Sequence, residues 1–319
     1  MGYKRAGCEV VAANDIDPEM AWHYQHNLKP KHYFLCPIRD LITAKLPGEL
    51  YHIDILDGSP PCSTFSMAGS REKSWGKKKH FREGQASQVL SDLFFDYLDL
   101  VDRLKPKVAI AENVKGMILG NAKGYTKLVM QRFREIGYRP QLFLVNAADC
   151  GVPQRRERVF FCAVRSDIDA KPLELKPQHR WISAGEATQD LQELTADELA
   201  DVIPPPSYKK GWNFCEEGGS LSDGKVKAGL KAGGFMAVRM NSTTPSPALI
   251  AQDQHYMHWA KPRLLTFREW KRLGSFPDDY QAKTDKIGKY MIGMSVPPKM
   301  TEAVARAVID QWLQPAGIC

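Results

Sequence analysis

Short apolar runs alternate with longer amphipathic segments along the first half of the chain, as far as about Arg165. The runs CEVVAAN, YHIDIL, KVAIAEN, RPQLFLVNA and ERVFFCAV predict strands. The segments PEMAWHYQHN, SQVLSDLFFDYLDLVDRL and GYTKLVMQRFREIG predict helices, and Pro18 suits the first turn of its helix. This alternation predicts an α/β fold with a parallel or mostly parallel sheet covered by helices.

The alternation ends near residue 166 and returns near residue 262. Residues 166–261 are rich in glycine, proline and lysine without a sustained period, which predicts a smaller, loop-rich domain or a large insertion. The segments LTFREWKRLGSF and PPKMTEAVARAVIDQWL then predict two further helices. We therefore divide the chain into residues 1–165, residues 166–261, and a C-terminal return to the first domain over residues 262–319.

The cysteine count and the net charge narrow the class of protein. Seven cysteines in 319 residues form no CxxC pair and are odd in number, so neither a disulfide framework nor a zinc site is expected. His255 and His258 lack a third ligand, and no metal is predicted. Without a membrane-length apolar run or a signal-peptide layout, the expected location is the cytoplasm, in association with the nucleoid. The net charge of +7 permits a polyanionic partner without requiring one.

Three chemically active groups fall at the ends of predicted strands. Cys62 follows YHIDILDGSPP, Glu112 and Asn113 close KVAIAEN, and QRRER at residues 154–158 precedes VFFCAV. Each group alone is ordinary, since a single cysteine usually packs in a core and an arginine cluster usually forms a solvated surface. In open α/β sheets, however, ligands bind beyond the carboxyl ends of the strands. Three such groups on one rim therefore predict a site.

These groups suit covalent addition to an electron-poor ring. A cysteine reacts as its thiolate, which nearby positive charge stabilises, and Arg156 and Arg158 are the candidates to supply that charge. A buried carboxyl such as Glu112 can stay protonated and act as an acid or hydrogen-bond donor. Two prolines restrict the backbone just before Cys62, as expected where a nucleophile must meet one ring atom at one position.

Five segments resemble, in their order and spacing, the signature blocks of the DNA (cytosine-5)-methyltransferases: GSPPCSTFS, ENV, NAADCGVPQRRERVF, RLLTFREWKRLGSFPDDY and GMSVPP. The resemblance implies a Rossmann-like methyltransferase sheet that uses S-adenosylmethionine, with a smaller, loop-rich target-recognition domain. It also implies that Cys62 adds to C6 of a cytosine and that Glu112 protonates or hydrogen-bonds N3. Arg158 then matches the residue that holds the base and Glu112, while Arg156 and Gln154 match the supporting positions.

In the reaction that the resemblance implies, C5 of the base takes a methyl group and loss of its proton expels the cysteine. The family flips the cytosine out of the duplex, at a cost of roughly a few kcal/mol. The basic loop STFSMAGSREKSWGKKKHFREGQ, which alone would be a solvated surface, then matches a loop that closes over DNA phosphates. The candidates for contact with double-stranded DNA are Ser66, Lys77, Lys78, Lys79, Gln154 and Arg239.

The resemblance also assigns a cofactor side to the sheet. The segment VVAANDID ends a strand with an acidic residue, as expected where a carboxylate accepts ribose hydroxyls. Two positions depart from the family: Pro37 stands where an aspartate usually bonds adenine, and Met294 replaces a more usual asparagine. The candidate contacts to S-adenosylmethionine are Asp15, Ile16, Ile38, Asp57, Leu93, Ser295 and Val296.

The first residues depart from the family further. The family begins with a strand and a DLFxGxGG-like glycine loop beside the cofactor, whereas MGYKRAGCEV resembles the helix that follows that loop. Either the start is truncated or misassigned, or another polypeptide supplies the strand. We accordingly expect weak binding of S-adenosylmethionine and low or no methyl transfer by this 319-residue form.

Two classes of function compete. The leading hypothesis is a monomeric DNA (cytosine-5)-methyltransferase of restriction-modification, phage or orphan type, with a cognate restriction endonuclease as a possible partner. An RNA or tRNA cytosine methyltransferase of the same family is the alternative among enzymes. The alternative from another class is a catalytically silent DNA-binding remnant, which the missing glycine loop favours.

Overall fold

A computed structural model describes residues 1–61, 78–79, 88–89, 93–120, 122–191, 193–234, 236–315 and 317. The chain is mixed α/β. Its strands are β1 Ala12–Asp15, β2 His32–Leu35, β3 Ile55–Gly58, β4 Lys78–Lys79, β5 Gln88–Val89, β6 Val108–Val114, β7 Tyr138–Asn146, β8 Gln154–Arg155, β9 Glu157–Arg165, β10 Val238–Arg239, β11 Ser246–Pro247 and β12 Tyr256–Met257. Its α-helices are α1 Gly2–Arg5, α2 Pro18–Leu28, α3 Ile38–Leu41, α4 Leu93–Leu104, α5 Ala122–Glu135, α6 Ala184–Ala187, α7 Ala196–Asp201, α8 Pro206–Trp212, α9 Leu221–Lys227, α10 Phe267–Leu273, α11 Asp285–Met294 and α12 Pro298–Val308. Shorter 3₁₀ turns lie at Gly48–His52, Lys115–Ile118, Ala147–Cys150 and Asp253–His255, and a π-helical turn, Ile309–Leu313, continues α12.

In the described part of the chain, four strands form the central sheet in the order β3–β6–β9–β7. β3 and β6 are parallel, with Ile55 opposite Val108 and Gly58 opposite Ala111. β9 runs antiparallel to both β6 and β7. β3, β6 and β7 therefore run in one direction, as a mostly parallel sheet requires, and β9 alone of these four strands is reversed. The reason is that β7 returns to β9 through a short connection, and not through the helical crossover that a parallel pair requires.

β1 and β2 form a separate parallel pair, with Ala12 opposite His32 and Asp15 opposite Leu35. Among the described strands, β1 pairs with β2 alone and β3 pairs with β6 alone. Both predicted strands of this region are shorter in the structure. CEVVAAN becomes a strand only from Ala12, where β2 begins to pair with it, and YHIDIL only from Ile55, after a 3₁₀ turn.

Helix α3, which follows the β1–β2 pair, packs against α4, and α4 covers the central sheet. Arg39 Nη2 lies 2.9 Å from Asp96 Oδ2, and Arg103 donates to the Leu41 carbonyl oxygen. An apolar cluster completes the contact and contains Leu41, Leu46, Leu50, Leu100 and Leu104. The pair is thus fixed through side chains and not through a shared ladder of backbone hydrogen bonds.

The core lies on the two faces of β6 and β9, whose residues are almost all buried. Successive strand residues point to opposite faces, so each strand contributes to both layers. The layer beneath α12 contains Val108, Ile110, Phe160, Cys162, Met300, Val304 and Val308. The layer beneath α4 and α5 contains Ala109, Ala111, Val159, Phe161, Phe94, Val101, Val129 and Phe133.

The described part of residues 166–261 carries only short elements, α6–α9 and β10–β12. Its small apolar core contains Val202, Cys215, Leu221, Ala237 and Met257, and Leu264 of the following segment packs into it. After it, α10 begins with a capping box between Thr266 and Glu269. α12 then packs against α1, where Arg5 Nε lies 2.6 Å from Glu302 Oε2. Within the described ranges, no helix has both the length and the apolar character needed to cross a bilayer.

Candidate active site

The carboxyl ends of β3 and β6 lie side by side at one edge of the central sheet, because these strands are parallel. Gly58 stands opposite Ala111 at the end of this pairing. The chain segments beyond it also meet, since the Ser59 side chain hydrogen-bonds the Glu112 carboxylate. The structure thus places Glu112 beside the segment that follows β3.

That segment leads to the predicted nucleophile and is tied to β6 a second time. Asn113 is buried, and its Nδ2 donates to the Pro60 carbonyl oxygen at 2.9 Å. Pro61 is described and exposed, whereas Cys62, one position further, lies outside the described residues. The sequence assigned no role to Ser59 or to the Asn113 side chain. The contact of Asn113 joins it to a residue 53 positions earlier in the chain. No local sequence pattern indicates a contact between such distant segments.

Glu112 is paired with Arg158 from the neighbouring antiparallel strand. In the register of β6 and β9, Glu112 is opposite Phe160, so Arg158 is its diagonal neighbour on the same face. Arg158 Nε lies 3.0 Å from Glu112 Oε1, and the two side chains are 18% and 11% exposed. The structure therefore brings together the carboxyl and the guanidinium that the sequence assigned to one site.

Desolvation dominates the electrostatics of this pair. It raises the pKa of the Glu112 carboxyl, while the charges of Arg158 and Arg156 and the hydrogen bond from Ser59 act in the opposite direction. Burial likewise lowers the pKa of Arg158, and Glu112 opposes that change. A carboxyl with a raised pKa holds its proton closer to neutral pH and can donate it to a ring nitrogen.

Gln154 and Arg156 place their side chains inside the protein, away from the strand edge. Arg156 is 3% exposed and donates from Nη1 to the Leu249 carbonyl oxygen at 2.7 Å and from Nη2 to that of Gly293 at 3.1 Å. Gln154 is 1% exposed; its Nε2 donates to the Leu273 carbonyl oxygen, and its Oε1 accepts from the Leu249 amide. Gln154, in β8, thus connects to α10 and to the segment after β11, and Arg156, between β8 and β9, connects to that segment and to α11.

The cofactor candidates Asp15 and Asp57 lie near the ends of β1 and β3, which belong to different sheets. Both residues are exposed, but neighbouring protein atoms remove part of the water around their carboxyl groups. Asp15 Oδ1 accepts from the Asp17 amide at 2.9 Å, and Asp57 Oδ1 accepts from the Tyr3 hydroxyl at 2.7 Å. Desolvation raises the pKa of Asp15. Desolvation, with repulsion from Glu112, raises the pKa of Asp57 to about 6.

The other cofactor candidates lie where strands and helices begin or end. Ile16 directly follows β1, and Ile38 begins α3 shortly after β2. Because β1 and β2 are parallel, these two side chains come from the same edge of their pair as Asp15. Leu93 begins α4, and Ser295 and Val296 follow α11.

Arg239, a DNA-binding candidate, is engaged within the protein. Its guanidinium carbon lies 3.9 Å from the centre of the Trp212 ring. Its Nε donates to the Trp259 carbonyl oxygen at 2.8 Å and its Nη1 to that of Cys215 at 2.7 Å. Of the candidates in the basic loop, Lys78 and Lys79 form β4, and Ser66 and Lys77 lie outside the described residues.

Comparisons with known proteins extend over nearly the whole chain. A family model described as C-5 cytosine-specific DNA methylase matches residues 1–310. The chain is 33% identical to the Type II methyltransferase M.FnuDI of Fusobacterium nucleatum, over 97% of this chain and 90% of that protein. It is 28% identical to the Type II methyltransferase M1.HphI of Haemophilus parahaemolyticus, over 97% and 83% respectively. In fold it is similar to a proposed DNA modification methyltransferase encoded within an Escherichia coli prophage, with a TM-score of 0.68 and 20% identity over 97% of this chain and 94% of that one.

Proposed function

This chain belongs to the C-5 cytosine-specific DNA methylase family, and on that premise we propose that it methylates C5 of cytosine in double-stranded DNA. The observation that carries the proposal is the buried contact between Glu112 and Arg158, beside the segment that leads to Cys62. The relatives named Type II methyltransferases support a role in restriction-modification, with a cognate endonuclease as partner. We propose that the chain acts as a monomer.

We propose that Cys62 is the nucleophile and Glu112 the acid. The thiolate of Cys62 forms a bond to C6 while the C5–C6 double bond shifts to C4–C5, and N3 takes the proton that Glu112 holds. The base is then an enamine whose C5 is nucleophilic; it would take the methyl group as the methyl–sulfur bond of the donor breaks and the sulfur leaves as a neutral thioether. Loss of the C5 proton to water restores the C5–C6 double bond and expels the cysteine, and N3 returns its proton to Glu112.

Arg158 has two functions in this proposal. It fixes the Glu112 carboxyl from the neighbouring strand, and its positive charge limits how far desolvation raises the pKa of that carboxyl. A general acid works best when its pKa lies near the working pH, so the opposing effects of burial and Arg158 suit the role. Arg156 and Gln154 support the site indirectly, by fixing the backbone of the segments around β9.

S-adenosylmethionine would supply the methyl group, bound to a positively charged sulfur that makes it electrophilic. The residues at the strand ends fit such a group. The exposed carboxylate of Asp15 can accept hydrogen bonds from the ribose hydroxyls, and Ile16 and Ile38 can pack against the flat adenine ring. Asp15 and Asp57 come from separate sheets, and both are proposed to contact the cofactor. The remaining proposed contacts are Leu93, Ser295 and Val296.

The DNA partner would lie over the carboxyl ends of β3 and β6. The target C6 is out of reach inside a duplex, so the cytosine must leave the stack before Cys62 can attack it. We propose that residues 166–261 recognise the target sequence and that the basic segment after Cys62 contacts phosphates. The residues proposed for these contacts are Ser66, Lys77, Lys78, Lys79 and Arg239, whereas the enclosed side chain of Gln154 keeps its supporting role.

A covalent trap tests the proposal. In 5-fluorocytosine a fluorine replaces the hydrogen on C5. Fluorine cannot leave as a cation, so the elimination that frees Cys62 is blocked and a productive enzyme stays bound to the DNA. With the cofactor in large excess, we expect a denaturation-resistant adduct that Cys62→Ser abolishes. Cys8→Ser removes a half-buried thiol distant in sequence from the site and serves as the matched control, which should form the adduct normally.

The outcomes separate the competing functions. An adduct with 5-fluorocytosine RNA but not with DNA would identify an RNA methyltransferase. DNA binding that weakens with salt, without any adduct from the folded chain, would identify a silent DNA-binding protein and defeat the proposal.

A further inference from the structure

The side chain of Asn113 has both of its polar ends engaged at the end of β6. Its Nδ2 donates to the Pro60 carbonyl oxygen at 2.9 Å, and its Oδ1 accepts from the Val114 amide at 2.9 Å. The side chain is buried, so neither bond competes with bulk water. An amide held at both ends and enclosed by protein has one available orientation.

Strand pairing with β6 does not continue into residues 59–61, the described part of the segment after β3. The parallel pairing of β3 with β6 ends at Gly58, opposite Ala111. Pro60 and Pro61 have no N–H, so neither can donate to a backbone ladder. The bond from Asn113 therefore replaces, through a side chain, the strand pairing that stops at Gly58.

A second bond joins the same two segments, because the Ser59 side chain hydrogen-bonds Glu112. Residues 59–60 are thus tied to residues 112–113 at two successive positions. Glu112 is the proposed acid, and Cys62, the proposed nucleophile, follows Pro60 by two residues in the sequence. Given the proposed function, the distance between acid and nucleophile depends on this connection.

We propose that Asn113 is a positioning residue for the nucleophile, because its bond to Pro60 fixes the start of the Pro-Pro-Cys segment relative to Glu112. Asn113 touches neither the base nor the methyl group in this role. A displacement of about 1 Å can lower the rate of an oriented reaction by about a hundredfold. Loss of the Pro60 bond should therefore reduce the chemical step far more than it reduces DNA binding.

Two variants and a control test the role. Asn113→Ala removes both bonds, and Asn113→Asp keeps the size and the acceptor for Val114 but removes the donor to Pro60. Asn27→Ala is the matched control, since Asn27 also donates from Nδ2 to backbone, at His23 and Gln281, but lies on α2. Each folded protein is measured for adduct formation with 5-fluorocytosine DNA, for DNA affinity, and for amide hydrogen exchange in the peptide from Ile55 to Cys62, which includes the amides of β3 because Pro60 and Pro61 have none.

Both Asn113 variants should form the adduct about ten- to a hundredfold more slowly, with DNA affinity within about twofold of the unaltered protein. Exchange in the Ile55–Cys62 peptide should rise about tenfold or more, and Asn27→Ala should change neither the adduct rate nor this exchange. Unchanged exchange in that peptide would overturn the proposal, as would faster exchange with a normal adduct rate. If the unaltered protein forms no adduct, the proposed function fails, and the exchange measurement alone then decides whether Asn113 holds the segment.

Discussion

The ring of Tyr97 lies directly over Gly58, so that a β-carbon added to Gly58 would stand 2.5 Å from Tyr97 Cε2. Tyr97 is buried in the layer beneath α4, and its hydroxyl lies 2.9 Å from the Leu56 carbonyl oxygen and 2.8 Å from that of Ile110. These two carbonyl groups belong to β3 and β6. One side chain thus bridges the strands whose ends carry the candidate site, and it leaves room only for glycine at position 58.

Gly58→Ala should destabilise the protein. The added methyl group meets a ring inside a packed core, and overpacking of this kind typically costs about 1–3 kcal/mol. Urea denaturation measures the loss as a lower midpoint. Gly48→Ala is the matched control, since no atom lies within 4 Å of its β-carbon position, and it should stay within about 0.5 kcal/mol of the unaltered protein. Equal midpoints for the two variants would show that Tyr97 moves aside freely.

Arg158→Ala should lower the rate of adduct formation by about a hundredfold or more, the usual loss when one preorganised donor is removed. Without the guanidinium, nothing from Arg158 offsets the desolvation of Glu112, so the pKa of that carboxyl should rise further. The pH dependence of the adduct rate, followed on 5-fluorocytosine DNA, should shift to higher pH. Arg155 is exposed on the same run, and Arg155→Ala should leave the profile in place. A profile unchanged in Arg158→Ala would show that Glu112 does not govern the rate.

The sequence predicts the reactive residues of this site better than it predicts the hydrogen bonds that hold them in place. Glu112 and Arg158 fall in short, ordered segments whose residue types suit the reaction, and the structure places them 3.0 Å apart. Gln154 lies in the same run as Arg158, yet its side chain is enclosed, because β8 begins beneath the segment after β11. The bond from Asn113 to Pro60 joins two distant segments by one contact, and such a contact has no period or composition that a sequence displays.

For the fold, the sequence predicts individual helices and strands, but not which strands pair or in which direction. Local periodicity marks α4, α5 and β6 well, because their apolar faces match the layers that bury them. Pairing direction is a property of the connections, so the antiparallel course of β9 did not follow from its own residues. The separation of the β1–β2 pair from β3 depends on which strands meet in space, which no run of residues specifies.

The ammonium of Lys289 is almost completely buried and pairs with Asp201, which ends α7. Lys289 Nζ lies 2.7 Å from Asp201 Oδ2, and the side chains are 1% and 39% exposed. Asp201→Ala removes the carboxylate that bonds Lys289 and leaves Asp285 as a nearby negative charge, so it should cost about 1–3 kcal/mol, less than for a fully buried pair because Asp201 also reaches solvent. Lys289→Met removes the charge but keeps the apolar packing, so its cost should be smaller, within about 1 kcal/mol.

Thermal or urea unfolding of both variants measures the order of these effects. Asp197→Ala, an exposed change on the same helix, is the control and should stay within about 0.5 kcal/mol. If Lys289→Met were the more damaging change, the pair would be a net source of stability, and the expected order would be wrong.

The pH dependence of stability should show the ionisation of the Asp57 carboxyl. Its pKa is raised to about 6 in the folded protein, chiefly by desolvation, against about 3.9 in an unfolded chain. The folded state therefore favours the protonated carboxyl. Its contribution to stability is complete below about pH 4 and is lost as the pH rises through about 6. Asp57→Asn keeps an oxygen that can accept from Tyr3 but cannot ionise, so it should match the unaltered protein near pH 4 and exceed it in stability above about pH 7.

Urea midpoints collected across this range measure the difference, and Tyr3 supplies a second test. Its hydroxyl bonds the ionised form of Asp57 and lowers the pKa of that carboxyl, so Tyr3→Phe should move the loss of stability to higher pH. The opposite trend, in which the unaltered protein gains on Asp57→Asn as the pH rises, would mean that the bond from Tyr3 outweighs desolvation. Asp57 would then be an ordinary ionised carboxylate at neutral pH, already suited to accept hydrogen bonds from a cofactor.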